Sequence, residues 1–189
     1  MVKVWALLTL VFLFTGCGQP GNEALPTAPD VQVRHNDRNL YRYENHWRYK
    51  GRKFSGYIIQ EQADGLVIHK LSIINGLANG LAVGFFENGH KMLEQVFVDD
   101  KPEGAYRQWW RNGRYKYNFF YKGDKYEGLQ QVFFEGGQLR EESNYNDGKP
   151  EGLQRVWNEN GELISNYTIR NNKLYGIIKV ESCLPGAKN

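Results

Sequence analysis

Two series of glycines recur along this chain at intervals of 24 residues. The second series follows the first by nine residues throughout. Two aligned series with one period indicate tandem copies of a single structural unit rather than one irregular domain. The first series is Gly56, Gly80, Gly104, Gly128, Gly152 and Gly176, and the second is Gly65, Gly89, Gly113, Gly137 and Gly161.

Composition narrows the possible fold classes. The 189 residues include 5 Trp, 12 Tyr and 10 Phe, which is too much aromatic surface for a chain that stays disordered. The 21 glycines have no three-residue period, which excludes collagen-like order. The sequence therefore predicts one globular domain or one elongated array.

Each unit reads as two strands joined by a turn. Aromatic pairs precede an Asn-Gly or Gly-Gly dipeptide, and Asn-Gly between aromatic-rich runs predicts a hairpin with a type I′ turn. The second strand ends on an apolar residue and is followed by a polar bend. Pro102 and Pro150 lie in such bends and lack the N–H of a central strand, which predicts connections there. The pairs are Phe85-Phe86, Trp109-Trp110 and Phe133-Phe134, with Trp157-Asn158 in the last full unit.

A single hairpin is marginal in water, so the units are expected to stack and bury their rings against one another. Two strands per unit, each about 4.8 Å wide, advance the array by about 10 Å per repeat. The fold class predicted is therefore all-β, an elongated array of antiparallel β-hairpins with a 24-residue period. Five full units begin at Gly56, and a half unit begins at Gly176.

The first residues predict export. Lys3 precedes an apolar run that ends in Thr15-Gly16-Cys17, and this ending resembles the lipobox of bacterial lipoproteins. The resemblance implies a signal peptide over residues 1–16 and a lipid on Cys17. Gly18 after the cysteine favours the outer membrane, facing the periplasm, if the organism is Gram-negative.

The remaining domain boundaries follow from composition. Residues 17–37 read as the lipidated cysteine and a flexible tether, 38–180 as the repeat domain and 181–189 as a tail. The segment 38–54 interleaves basic and aromatic residues, which suits an anionic lipid surface, a cell-wall polymer or a solvated capping strand. Nucleic acid is not expected as a partner of an exported protein.

Motifs for chemistry are missing from the sequence. The four histidines have no zinc-ligand spacing, and no P-loop, nucleophile elbow or catalytic triad is present. We therefore expect no metal, no cofactor and no enzymatic activity.

The repeat pattern is similar to one known family. Gly, an aromatic pair, Asn-Gly, an apolar ring and a closing Glu-Gly together resemble the MORN repeat variant over about residues 38–180, with a lead-in at 47–56. The resemblance implies a scaffold for protein or membrane contact. Bacterial members of this family are often described as antitoxins of toxin–antitoxin systems, so the resemblance also implies an antitoxin role.

The aromatic pairs are the candidate binding surface. Neighbouring residues of a strand point to opposite faces, so one ring of each pair is expected to face outward. A protein-interaction scaffold is the function predicted first, and a cell-wall or carbohydrate-binding ladder is the alternative. Rings that only pack on neighbouring strands are also compatible with the pattern. The candidate residues are Phe86, Trp109, Trp110, Phe134 and Trp157.

Overall fold

The computed structural model describes residues 27–177, and every regular element in this range is a β-strand. The predicted signal peptide, Cys17 and the predicted tail lie outside these residues. The first strands are β1 (Gln32–Arg34), β2 (Leu40–Tyr43), β3 (His46–Tyr49), β4 (Arg52–Lys53), β5 (Gly56–Glu61), β6 (Val67–Ile74), β7 (Leu77–Phe85) and β8 (Lys91–Val98). They are followed by β9 (Lys101–Trp109), β10 (Tyr115–Lys122), β11 (Lys125–Tyr126), β12 (Gly128–Phe133), β13 (Leu139–Asn146), β14 (Lys149–Trp157), β15 (Leu163–Arg170) and β16 (Lys173–Ile177).

One long sheet contains most of these strands. From β5 onward, consecutive strands pair antiparallel in chain order, with the short β11 attached beside β10. β1 pairs parallel to β5 at one end, while β2, β3 and β4 form a separate small sheet. The predicted all-β array of antiparallel hairpins is confirmed.

The Asn-Gly turns differ from the predicted type I′ geometry. Each is a longer loop in which only the glycine has a positive φ, +80° at Gly89 and +82° at Gly113. Asn88 contributes its side chain instead, since its Oδ1 accepts a hydrogen bond from the N–H of His90 at 3.1 Å. The type I′ prediction was wrong here because an Asx turn uses the amide side chain and needs no left-handed Asn backbone.

The polar bends are the tight turns. Asp99 and Asp100 have φ values of +48° and +65°, which makes them the two central residues of a type I′ turn between β8 and β9. β9 begins directly afterwards and contains Pro102 opposite Phe97. The prediction that this segment is a connection was wrong, because alternate positions of an antiparallel pair make no hydrogen bond, and Pro102 occupies such a position. Pro150 lies in β14 in the same way.

Gly80, Gly104 and Gly152 lie at bulges inside strands, and Gly128 lies at the interruption between β11 and β12. Gln95 and Val96 are neighbours in β8, yet they pair with Tyr106 and Glu103, so two residues of β9 are left over at Gly104. Gly104 has a φ of +65°, a conformation that glycine adopts without a steric penalty. Four of the six glycines in the first series thus mark a bend or an interruption in a strand, whereas Gly56 and Gly176 pair without a register shift.

Buried amides satisfy the backbone groups that these bulges leave free. Gln130 accepts a hydrogen bond from the N–H of Phe120 at 2.9 Å and donates to the carbonyls of Phe120, Glu127 and Gly128. Gln154 donates to the carbonyl of Asn144 at 2.8 Å. Because an unpaired buried carbonyl is costly, these side chains stabilise the bent strands.

Acidic residues before the glycines join successive repeats. Glu103 accepts a hydrogen bond from the N–H of Gly123 at 2.7 Å, and Glu127 accepts one from Asp147 at 2.9 Å. Each glutamate thus binds the tight turn of the following repeat.

Apolar burial is confined to the amino-terminal end of the array. Val33, Leu40, Phe54, Ile58 and Ile73 form a cluster between the long sheet and the small sheet. Because β1 is paired to β5 and carries the buried Val33, the predicted tether (17–37) extends too far at its carboxyl end. The segment 38–54 is a capping sheet rather than a capping strand.

Beyond Gly84 the described residues contain no buried apolar side chain. The buried residues there are Gln95, Gln130, Ser143 and Gln154. The expectation that stacked repeats bury their rings in a shared core was wrong for this part of the array, because no second layer of described residues covers the sheet. Its rings are half-buried against their neighbours within the layer.

Candidate binding surfaces

One face of the open sheet carries a cluster of aromatic rings. Side chains at alternate positions of β10 share this face, and Tyr106 of β9 lies directly opposite Phe119. Ring centres are separated by 5.1 Å between Tyr117 and Phe119, 4.8 Å between Tyr121 and Tyr126, and 5.2 Å between Tyr126 and Tyr145. We call this set the tyrosine face: Tyr106, Tyr117, Phe119, Tyr121, Tyr126 and Tyr145.

Three phenol groups of the tyrosine face, those of Tyr106, Tyr121 and Tyr145, stay protonated. Burial raises the pKa of Tyr106 and of Tyr145 above the ordinary value of 10.0. Burial also raises the pKa of Tyr121, and a hydrogen bond with Tyr126 adds to this shift. These three residues therefore present neutral phenol groups that can donate hydrogen bonds at neutral pH. A small cavity of about 160 Å³ lies among Phe119, Tyr126 and Tyr145.

The opposite face carries paired charges. Arg107 Nη1 lies 2.7 Å from Glu94 Oε1, and Lys91 Nζ lies 2.8 Å from Glu94 Oε2. Arg155 and Glu142 form a second ion pair. We call this the charged face, and since its charges neutralise one another across strands, it has no strong net attraction for one sign of ligand.

The five predicted rings do not lie in one row. Trp109 and Trp157 follow Arg107 and Arg155 by two positions and so share the charged face. Lys91 Nζ lies 5.3 Å from the ring centre of Trp109, and the Arg155 guanidinium lies 5.2 Å from that of Trp157. All five rings are half-buried.

The other three predicted rings lie on the side of the tyrosine face. Lys116 Nζ lies 4.5 Å from the ring centre of Trp110 and 5.3 Å from that of Tyr117. Phe86 and Phe134 occupy the same repeat position and contact Arg111 and Arg140 respectively. Trp110 also donates a hydrogen bond to the carbonyl of Phe133 at 3.3 Å. Phe86 and Trp110 therefore contact the following repeat, whereas the contact of Phe134 with Arg140 lies within one repeat.

A shorter row of three aromatic rings lies on the charged face, and only one of its members, Trp109, is among the five predicted rings. Tyr115 lies between Trp109 and Phe133, with ring centres 5.5 Å and 6.2 Å away. It is 44% exposed, more than any of the five predicted rings. The sequence feature that could have identified Tyr115 is its position just after the Asn-Gly turn, because strand pairing there places it opposite Trp109.

The row borders one edge of the sheet, where the Asn-Gly and Gly-Gly turns lie. We call this edge the turn edge, and it consists of residues 87–90, 111–114, 135–138 and 159–162. An open cavity of about 340 Å³ contacts Lys91, Trp109 and Gly113. A second of about 390 Å³ lies one repeat further on, against Arg114, Tyr115, Phe133 and the glycines of two turns. Two niches with an aromatic floor thus lie between the turns at 87–90, 111–114 and 135–138.

Within residues 27–177, no three His, Cys, Asp or Glu side chains come together as a metal-ion site. A search of the same residues for a helix long and apolar enough to cross a membrane finds none.

Comparison with known proteins identifies the repeat. Residues 126–147 match the MORN repeat variant. The matched segment runs from Tyr126 through the Gly136-Gly137 turn to the tight turn at Asp147, so it covers most of the unit that begins at Gly128. No curated protein matches the chain.

Proposed function

We propose that this protein is a non-enzymatic, lipid-anchored envelope protein whose MORN-type array is a scaffold for binding another protein. The observation that carries the proposal is the tyrosine face, a set of half-buried rings on a sheet that no other described element covers. Tyrosine is enriched at binding hot spots because it offers a large rigid ring and a hydroxyl group. The anchor would hold this face close to the membrane.

Site-specific crosslinking tests the scaffold. A photoreactive phenylalanine analogue is placed at Tyr121 of the tyrosine face, and the matched control places it at the adjacent Phe120, which points to the opposite face and is 47% exposed. We expect one discrete crosslinked protein from position 121 and none from position 120. Equal products from both positions, or none from either, would contradict a partner on the tyrosine face.

The anchor is tested separately at Cys17. With radiolabelled palmitate in the growth medium, we expect label on the wild-type protein and none on Cys17→Ser, which should also leave the membrane fraction. A Cys17→Ser variant that keeps both the label and its membrane association would contradict lipidation at this residue. Recovery of wild-type protein with the outer membrane would support the proposed location in a Gram-negative cell.

A glycan-binding role is the second candidate function. It is supported by the row of Trp109, Tyr115 and Phe133, in which the exposed ring of Tyr115 borders an open cavity. This row is shorter than the ladder expected from the aromatic pairs, and it lies on the other side of the sheet from the tyrosine face. The two candidate functions therefore use separate surfaces.

A further inference from the structure

The small cavity on the tyrosine face is lined by three rings that are steeply inclined to one another. The ring centres of Phe119 and Tyr126 are 5.4 Å apart and their planes differ by 72°, and those of Tyr126 and Tyr145 are 5.2 Å apart with planes 60° apart. Rings at such angles line several sides of a cavity, whereas parallel rings would form a flat stack. Its volume of about 160 Å³ is similar to that of an apolar protein cavity of about 150 Å³ that holds a benzene molecule. A compact group of about six heavy atoms therefore fits.

One carboxylate borders the same cavity. Glu141 Oε1 accepts a hydrogen bond from the Ser143 hydroxyl at 2.7 Å, and its charge adds to the effect of burial in raising the pKa of Tyr145. Within residues 27–177, no Lys or Arg forms an ion pair with Glu141, although its neighbour Glu142 is paired with Arg155. A half-buried carboxylate beside a cavity favours a ligand that carries positive charge.

The three rings of the cavity differ from the rings along the turn edge. Trp110 has a cation of this chain over it, since Lys116 Nζ lies 4.5 Å from its ring centre, and four other rings beside the turns are contacted in the same way. Among the described residues, no Lys or Arg makes such a contact with Phe119, Tyr126 or Tyr145. The described residues thus leave these ring faces to a cation from outside the chain.

The polar groups of the lining favour a cation without N–H groups. The amide of Gln130 already bonds backbone groups at the bulge, and the Ser143 hydroxyl donates to Glu141. Besides the phenol oxygens, Glu141 is then the one side-chain acceptor left among the lining residues. A primary ammonium needs acceptors for three N–H groups and a guanidinium for five. A quaternary ammonium needs none, and its methyl groups pack against aromatic rings while its charge is attracted to their faces.

We propose that this cavity binds a small soluble molecule with a trimethylammonium group, whose methyl groups contact Phe119, Tyr126 and Tyr145 and whose charge is balanced by Glu141. The inference goes beyond the proposed scaffold, because ligand binding by the purified chain requires no partner protein. A lipid headgroup can carry the same trimethylammonium group next to a phosphodiester, and the Glu141 carboxylate disfavours that second, negative charge.

Titration of the full chain in an uncharged maltoside detergent tests the proposal. The probe is choline, and the matched ligand is 3,3-dimethylbutan-1-ol, which has the same shape with a carbon atom in place of the charged nitrogen. Because an aromatic ring shields protons above its face, the methyl resonance of choline should move upfield in NMR spectra. We expect affinity at least about fivefold lower for the neutral alcohol, for ethanolamine and for glycerophosphocholine.

Two pairs of variants localise the site. E141Q keeps an acceptor for Ser143 and should reduce choline affinity by about three- to tenfold without changing affinity for the neutral alcohol. E135Q, which removes the same charge from an exposed turn, should affect neither ligand. Y126L should reduce choline affinity by about five- to thirtyfold, and F120L, an exposed ring on the opposite face, should not. Circular dichroism confirms that each variant keeps its β structure, and the E141Q comparison remains decisive if Y126L unfolds.

The outcomes distinguish the kinds of ligand. Equal affinity for choline and the neutral alcohol, with no effect of E141Q, would overturn the recognition of charge. Tighter binding of ethanolamine would indicate an N–H cation such as a lysine side chain, and tighter binding of glycerophosphocholine would indicate a lipid headgroup; either result would overturn the proposal. No binding of choline would overturn it as well, and crosslinking at position 121 would remain the separate test of the scaffold.

Discussion

The two ends of the array are built differently from the same repeat. In residues 27–82 the sheet is covered by β2–β4, and apolar side chains such as Ile73 are fully buried. In residues 83–177 the sheet is a single layer, and its buried side chains are amides and a serine. One repeat pattern therefore supports both a conventional core and an open sheet.

This difference shows what holds the open part together. Its strands are stabilised by backbone pairing, by glutamines at the bulges, by turn-to-turn hydrogen bonds and by rings stacked within the layer. Such contacts join each repeat to its neighbours only, as in other linear arrays. No other element of residues 27–177 covers either face of the open part, whereas β2–β4 cover the amino-terminal end and form a cap.

Replacing Ile73 by Ala should have the largest effect on the comparison. Ile73 is 0% exposed, so the change leaves a cavity in the cap and should lower the free energy of unfolding by about 3–4 kcal/mol. Leu129→Ala in the open part, where the side chain is 44% exposed, should cost less than about 0.5 kcal/mol. Urea denaturation measures both, and equal losses would mean that the cap has no special role.

Alanine at two repeat glycines sharpens the same contrast. At Gly56 the new Cβ would lie 2.7 Å from the Phe54 ring, and φ is +149°, so we expect a loss of about 2–4 kcal/mol. At Gly113 the Cβ meets no atom within 4 Å, which leaves the left-handed backbone alone at about 1–2 kcal/mol. Thermal unfolding compares the two, and a larger loss at Gly113 would contradict the packing described at the cap.

Gln130→Leu tests how the open part is stabilised. The buried amide bonds backbone groups at one bulge, so its removal should lower the free energy of unfolding by about 1–3 kcal/mol. Gln154→Leu, which breaks one such hydrogen bond, should cost about 1 kcal/mol. If leucine at 130 is neutral or stabilising, apolar burial rather than amide bonding limits the open part.

The smallest expected effect is a pH dependence at Glu94. Burial alone would raise the pKa of Glu94, but hydrogen bonds from Lys91 and Arg107 outweigh it and hold the pKa below its ordinary value of 4.5. Because the folded pKa is the lower one, the stabilisation is complete above about pH 4.5 and is lost as the pH falls through the folded value. Glu94→Gln should flatten this acid limb of stability, and an unchanged limb would contradict the ion-pair assignment.

Much of the fold could be predicted from the glycine period, since each series marks one backbone feature. The tight turns were predicted at the Asn-Gly dipeptides and are found at the polar bends, such as Asp99-Asp100. Both kinds of dipeptide are compatible with a left-handed backbone, and only the structure shows which of them adopts it. The bulge at Gly104 could not be foreseen, because a glycine inside a strand does not show which neighbour pairs out of register.

The candidate site was predicted less completely than the fold. The alternation rule correctly placed neighbouring rings on opposite faces, and it therefore split the predicted ladder. Tyr115 and the tyrosine face depend on pairing between strands that a single unit of sequence does not show. Within the described residues, the sheet beyond Gly84 has no apolar core because no second layer covers it, and the repeat pattern does not show whether such a layer exists.

Hydrogen–deuterium exchange along the full chain tests the central claim most directly. Protection of backbone amides reports the free energy of local opening. The account predicts the slowest exchange in β5–β7, beside the apolar cluster, and progressively faster exchange through β13–β15. Equal protection of both regions, or slower exchange in β13–β15, would contradict an array capped at its amino-terminal end and open beyond it.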